Sequence, residues 1–309
     1  MEIVVCQDLY KLYGKLVALE NLNLTLHSGK KYGIIGPNGA GKTTFIKLIC
    51  GLLKPTKGYM NVFSLDPWKD RVKVCERIGV LHEETLLPLT EKVFDIFVYV
   101  GKLKGLSTAE LKKEAEGLLN IFGLRDKIHL RIGTLSAGQK RRLELALAFM
   151  GSPELIILDE PTANVDPSGR RDVMSIIERL SNEIDATFII STHSLLYLEK
   201  ICDEIVFLDR GKILVKGDVR DIIAKYSKPV VRIETSDNKR FAEEIKGLSS
   251  VDYVNIEGRS VIVTIKGEDF YKDVVKIADK LGLHLYRLEP LHETLESIYK
   301  IIIGRRENG

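Results

Sequence analysis

Apolar runs of two kinds alternate through the first half of the chain. Short stretches of aliphatic and β-branched residues are followed by segments whose apolar positions recur every three or four residues. Lys31–Ile35 predicts a strand running into a glycine cluster, and Thr43–Leu53 beyond it predicts a helix. Leu155–Leu158, Thr187–Ser191 and Glu204–Leu208 predict further strands, the first two each followed by a helical stretch. Strands that are apolar along their whole length suit a sheet covered on both faces, hence an α/β fold. Asp209–Lys212, between Val206–Leu208 and Ile213–Val215, predicts a hairpin turn.

From about Leu86 to Met150 the pattern is helical with few strand candidates, which predicts a helical subdomain (about 86–152) inserted into an α/β domain spanning 1–227. A short helix, Arg220–Tyr226, and then Ser227-Lys-Pro229 mark a junction. Over 228–309 the pattern is strand (Val230–Glu234), helix (Lys239–Gly247), two strands (Tyr253–Glu257 and Val261–Lys266), helix (Phe270–Gly282) and strand (His284–Leu288), with a final helix from Leu291. That order predicts a small α+β domain with an antiparallel sheet.

Composition narrows the choices. The chain has 309 residues, 45% hydrophobic and 29% charged, with a formal net charge of +3. Near-balanced charge argues against a protein that lives on nucleic-acid phosphates, so no nucleic-acid partner is expected. Four scattered cysteines (Cys6, Cys50, Cys75, Cys202) form no C-x-x-C pair, which fits reduced, mostly buried thiols rather than a disulfide scaffold or zinc site. No basic-then-apolar leader follows Met1, and the apolar windows Val93–Val100 and Ala186–Ile190 fall well short of a membrane span. Any membrane role would come through a partner.

The chemistry starts at Gly36-Pro37-Asn38-Gly39-Ala40-Gly41-Lys42-Thr43, which fits G-x-x-x-x-G-K-[ST] between a predicted strand and helix. Glycines let the backbone close on a phosphate chain, and the helix start adds its positive end. Lys42 can reach the β- and γ-phosphates, and the Thr43 hydroxyl can ligate Mg²⁺. Leu155–Leu158 ends in Asp159-Glu160, which puts two carboxylates at the sheet's ligand-binding edge. Asp159 suits the shell of Mg²⁺, and Glu160 suits a base that orients and deprotonates a water. Leu135-Ser136-Ala137-Gly138-Gln139 opens a further helix, with Leu143, Leu147 and Met150 on one side and charge on the other. Ser136 is a good N-cap, and the backbone N–H groups around Gly138 make a second anion site.

Together these motifs resemble the ATP-binding subunit of an ABC transporter, in the family's order over residues 3 to about 217. Walker A (Gly36–Thr44), the signature (Leu135–Gln139), Walker B (Ile156–Glu160), a D-loop (Ala163–Asp166) and a switch histidine, His193, are all present. The resemblance implies a P-loop NTPase cassette with ATP and Mg²⁺ as cofactors. It implies Tyr13 stacked on adenine, and Gly36 to Thr44 as the phosphate loop. Ser136, Ala137, Gly138, Gln139 and Asp166 would meet a nucleotide held by a second subunit, either an identical chain or a homologous one. Thr43, Asp159 and Glu83 would hold the metal, with Lys42, Glu83, Glu160 and His193 as catalytic residues. Three positions depart from the common pattern: Ala137 for Gly, Val165 for Leu, and Glu83 for Gln.

What the hydrolysis drives is a separate question. The resemblance implies a separate multispanning membrane subunit, and a cytoplasmic place on the inner face of the cell membrane. Leu86–Leu89 and Val93–Tyr99 offer apolar side chains for the partner's helices, although packing of the helical subdomain accounts for most of them. The tail, Leu288 to Tyr299, with a Pro before an acidic amphipathic helix, resembles the drug-exporter-like branch and implies export. The alternative is a soluble ABC-type ATPase of DNA maintenance or translation. Such proteins carry coiled-coil insertions, paired cassettes or basic linkers, and none is visible here. The 228–309 domain is open between a ligand sensor and reinforcement of a dimer.

Overall fold

Strands without a polar face need cover on both sides, and β-branched runs supply five of them here. In the computed structural model they lie side by side. It describes every residue except 85, 86, 193, 194, 227, 228, 267–269, 292, 293, 300, 301 and 303–309. His193, Leu86 and residues 227 and 228 of the expected junction lie outside the described residues.

In chain order the first elements are β1 (Glu2–Tyr13), β2 (Leu16–His27), β3 (Lys31–Ile35), α1 (Lys42–Ile49), β4 (Lys57–Val62), α2 (Arg71–Arg77) and β5 (Ile78–Leu81). A largely helical stretch follows: α3 (Val93–Leu103), α4 (Thr108–Ile121), two short 3₁₀ turns and α5 (Ala137–Ala148). Then come β6 (Leu155–Asp159), α6 (Pro167–Glu183), β7 (Thr187–Ser191), α7 (Leu195–Ile201), β8 (Glu204–Asp209), β9 (Lys212–Asp218) and α8 (Val219–Tyr226). The last are β10 (Val230–Thr235), α9 (Asn238–Ile245), β11 (Val251–Glu257), β12 (Ser260–Ile265), α10 (Phe270–Lys280) and β13 (Leu285–Leu291).

The central sheet runs β5-β6-β7-β3-β8-β9. Its first five strands are parallel, and β9 returns antiparallel on β8 through the expected turn, where Asp209 pairs with Lys212. Every residue of β6 and β7 is buried, including the polar residues at their ends, Asp159, Thr187 and Ser191. Beside this lies a second, antiparallel sheet, β2-β1-β4, which the hydropathy pattern does not reveal. Its strands alternate apolar and polar positions, but the alternation slips. β1 shifts register on β2 between Cys6 and Leu9 and again between Leu9 and Lys11, and Asp8 and Asn21 take positive φ at these irregularities.

Several expected bounds move. The helix after the phosphate loop ends at Ile49, where Gly51, at φ 65°, closes the turn. The signature helix ends at Ala148, short of Met150. β13 runs to Leu291 through Pro290, which an edge strand tolerates, and the final helical residues begin at 295 rather than 291.

The chain divides into two compact units, Met1–Val219 and Arg220–Gly309. The first has a continuous apolar core around Phe45, Ile46, Tyr32, Ile157 and Ile189. The second follows the β-α-β-β-α-β order, with antiparallel strands arranged β11-β12-β10-β13, a ferredoxin-like plan. Phe241, Ile245, Phe270 and Val274 from its helices close on Val231, Ile233, Val261 and Val263 of its sheet.

Candidate active site

The phosphate loop sits at the carboxyl end of β3, in the middle of the parallel sheet, where α/β ligands bind. Its first glycine is required by the sheet itself, since a Cβ at Gly36 would stand 2.1 Å from the carbonyl oxygen of Leu208. The hairpin after Leu208 braces the loop, as Gly211 donates to the Ala40 carbonyl at 2.9 Å. Gly41 lies at φ 107° and leaves α1 without a side-chain cap, so first-turn N–H groups face the cleft with no acceptor from their own chain's cap. Lys42 is 7% exposed and folds back over the loop. Its Nζ donates to the carbonyls of Gly36 at 2.7 Å and Pro37 at 3.2 Å.

This loop floors a cleft of about 450 Å³ lined by Tyr13, Asn38 to Thr44, Glu83, Asp159 and Glu160. Tyr13 is 44% exposed, with the Lys11 ammonium 5.3 Å from its ring centroid. Leu16, Val17 and Ala18 extend the wall beside it, and Ala163 closes the far side. Gly36 and Pro37 are not in that lining; they hold Lys42 from behind.

Asp159 is 1% exposed. One carboxylate oxygen accepts from the Ser191 hydroxyl, while the other, Oδ2, is buried with no hydrogen-bond partner among the described residues. A buried acceptor without a donor is costly in a folded protein unless a cation or water meets it. Asp159 Oδ2 therefore fits a metal ligand, with Thr43 and Glu83 on the same cleft. Glu160 adopts φ 44°, a left-handed backbone that a non-glycine residue seldom takes. Its N–H donates to the Ser191 carbonyl at 3.0 Å.

The signature residues form a different place. Ser136 and Gln139 make a capping box: Ser136 Oγ accepts from the Gln139 N–H at 3.2 Å, and Gln139 Oε1 accepts from the Ser136 N–H at 2.9 Å. The Ser136 hydroxyl proton is left to donate outward. Ser136, Ala137 and Gly138 line a second cleft of about 450 Å³ with Asn164, Val165 and Asp166, while Gln139 lies outside it. Asp166 is also a helix cap, accepting from Ser168 and Gly169 at the start of α6. The Ser168 hydroxyl also donates to it, and that bond first, with the N–H bonds behind it, holds its carboxyl below the usual carboxylate range. Among the described residues, none lines both clefts.

Comparison with known proteins places the chain in a family. Residues 19–163 match the ABC transporter family. The chain is 30% identical, over 97% of each chain, to the linearmycin resistance ATP-binding protein LnrL of Bacillus subtilis (strain 168). This chain belongs to the ABC transporter family. Within that family it is an ATP-binding subunit and an ATPase. It is likewise 32% identical to the bacitracin transport ATP-binding protein BcrA of Bacillus licheniformis, over 98% of this chain and 97% of that one. A solved ATP-binding subunit of an ABC transporter, 27% identical, superposes with a TM-score of 0.66 over 72% of this chain and 93% of that chain.

The ABC cassette contains site residues that no motif in the sequence marks. Leu16, Val17 and Ala18 went unseen because the antiparallel sheet that carries them did. Ser191, wholly buried, holds both Asp159 and Glu160 in place. Arg141 departs furthest from the sequence pattern. The helical pattern sets it on the charged side, away from Leu143, yet it is 3% exposed and hydrogen-bonded to the ends of two strands. The Lys140-Arg141-Arg142 run gave no sign of which charge turns inward. Leu147, expected on the apolar side, is only half-buried.

Proposed function

We propose that two copies of this ATPase, or one copy and a homologous subunit, close face to face on two ATP molecules and so drive a separate membrane subunit. The observation that carries this is the pair of clefts, one around Lys42 and one around Ser136, that share no lining residue among those described. One chain alone offers half of each composite pocket. In this reading Asn38 to Thr44 and Lys42 hold the triphosphate, Tyr13 stacks on the base, and Ser136 with the N–H groups of Ala137 and Gly138 meets the γ-phosphate of the partner's nucleotide. Thr43, Asp159 and Glu83 would hold Mg²⁺, which supplies charge neutralisation at the phosphate oxygens. Glu160 takes a proton from the attacking water, and His193 follows from family resemblance alone.

The finer reading is an exporter subunit at the inner face of the membrane, supported by full-length similarity to proteins named for linearmycin resistance and bacitracin transport. No helix among the described residues is long and apolar enough to cross a membrane. Exposed Leu89 on the loop before α3, with Tyr99 and Leu103 on α3, fits a surface for helices of the membrane subunit. Replacing Glu160 by Gln tests the dimer. Glu160→Gln should hydrolyse almost no ATP and run as a stable dimer on size exclusion with ATP and Mg²⁺. A monomeric profile for the folded variant overturns the face-to-face reading.

A further inference from the structure

The guanidinium of Arg141 has five N–H groups, and each has an acceptor. Nε donates to the Pro161 carbonyl at 2.9 Å. Nη2 donates to the carbonyls of Asp159 at 3.1 Å and Glu160 at 2.7 Å. Nη1 donates to the His82 carbonyl at 2.7 Å and to Glu144 at 3.1 Å. Three of these carbonyls are consecutive, at the turn where Glu160 takes its left-handed backbone. The fourth belongs to the residue before Glu83. All of them converge on a side chain of α5, the helix whose first turn is the signature. A strained backbone persists only where its surroundings over-determine it, and here one buried side chain does much of that.

We propose that Arg141 is a positioning residue for ATP hydrolysis, fixing Glu160 and the turn before Glu83 to the signature helix through one fully used guanidinium. A displacement of that helix then shifts the base and the Glu83 turn together. Lysine cannot substitute: it is a point donor with three N–H groups, unable to span carbonyls from two strands. The proposal rests on the reading of Glu160 as the group that activates water.

The test uses the full chain with ATP and Mg²⁺, comparing Arg141→Lys, Glu160→Gln and the double variant by single-turnover hydrolysis, alongside KM and thermal melting. Arg141→Lys should melt cooperatively and lose about tenfold or more in kcat, with KM for ATP within about threefold of wild type. In the Glu160→Gln background the same change should cost clearly less, because the base it positions is already gone and only the Glu83 turn is left to lose. The proposal is overturned by a wild-type kcat in Arg141→Lys, by an effect confined to KM, or by an undiminished loss in the double variant. Wild-type hydrolysis by Glu160→Gln is a separate result that removes the Glu160 reading and the proposal with it. Should Arg141→Lys fail to melt cooperatively, Arg141→Gln is judged by the same limits.

Discussion

Two glycines in the two clefts have different reasons to be glycine. Gly41 is fixed by its own chain, since a Cβ there would stand 2.7 Å from the Ala18 carbonyl oxygen on a backbone at φ 107°. A Cβ at Gly138 would meet only Val165, at an ordinary 4.0 Å, on a helical backbone without strain. Gly41→Ala should therefore lower the melting temperature and weaken ATP binding together. Gly138→Ala should leave stability within about 0.5 kcal/mol of wild type, as surface changes without strain do. Its turnover should fall if a nucleotide approaches that backbone from outside the chain. Melting curves and steady-state hydrolysis on the two variants check the contrast. These glycines were legible as motif positions in the sequence, whereas the reason for each is set by neighbours distant along the chain.

At the level of elements, the parallel strands were readable because burial on both faces leaves no polar residue to interrupt them. The β2-β1-β4 sheet was not, since bulges at Asp8 and near Asn21 shift the alternation out of phase and blur its period. The inward turn of Arg141 was hidden for a related reason: on α5 polar contacts as well as apolar ones are buried, so hydropathy cannot tell which charge faces in. The same helix shows how one side chain serves two purposes. Ser136→Ala loses the cap and should cost about 1 kcal/mol. Ser136→Asp keeps a capping oxygen in favourable interaction with the helix dipole, so its melting temperature should hold. It removes the outward hydroxyl proton and adds negative charge facing a phosphate, so its ATPase activity should be lost. A Ser136→Asp chain that hydrolyses ATP normally would show the signature cleft to be uninvolved.

Across the whole molecule, the thiols fall as the sequence suggested, with one exception. Cys6, Cys50 and Cys202 are buried and Cys75 is exposed. Burial pushes the Cys6 thiol up to about 12 and raises Cys50 and Cys202 as well, so none forms appreciable thiolate near neutrality. A thiol reagent at pH 8 should modify one cysteine per folded chain quickly and all four after denaturation. Cys75→Ser should abolish the fast phase.

Because the two clefts share none of the described residues, a chain defective in one keeps the other intact. Lys42→Ala retains its signature face, and Ser136→Asp retains its phosphate loop and Glu160. Each should be inactive alone. Mixed in equal amounts, half of the pairs would be hybrids, and each hybrid would contain one pocket assembled wholly from sound halves. Two dead proteins should thus rescue one another to about a quarter of wild-type turnover if pockets fire independently, and to almost none if both must fire in concert.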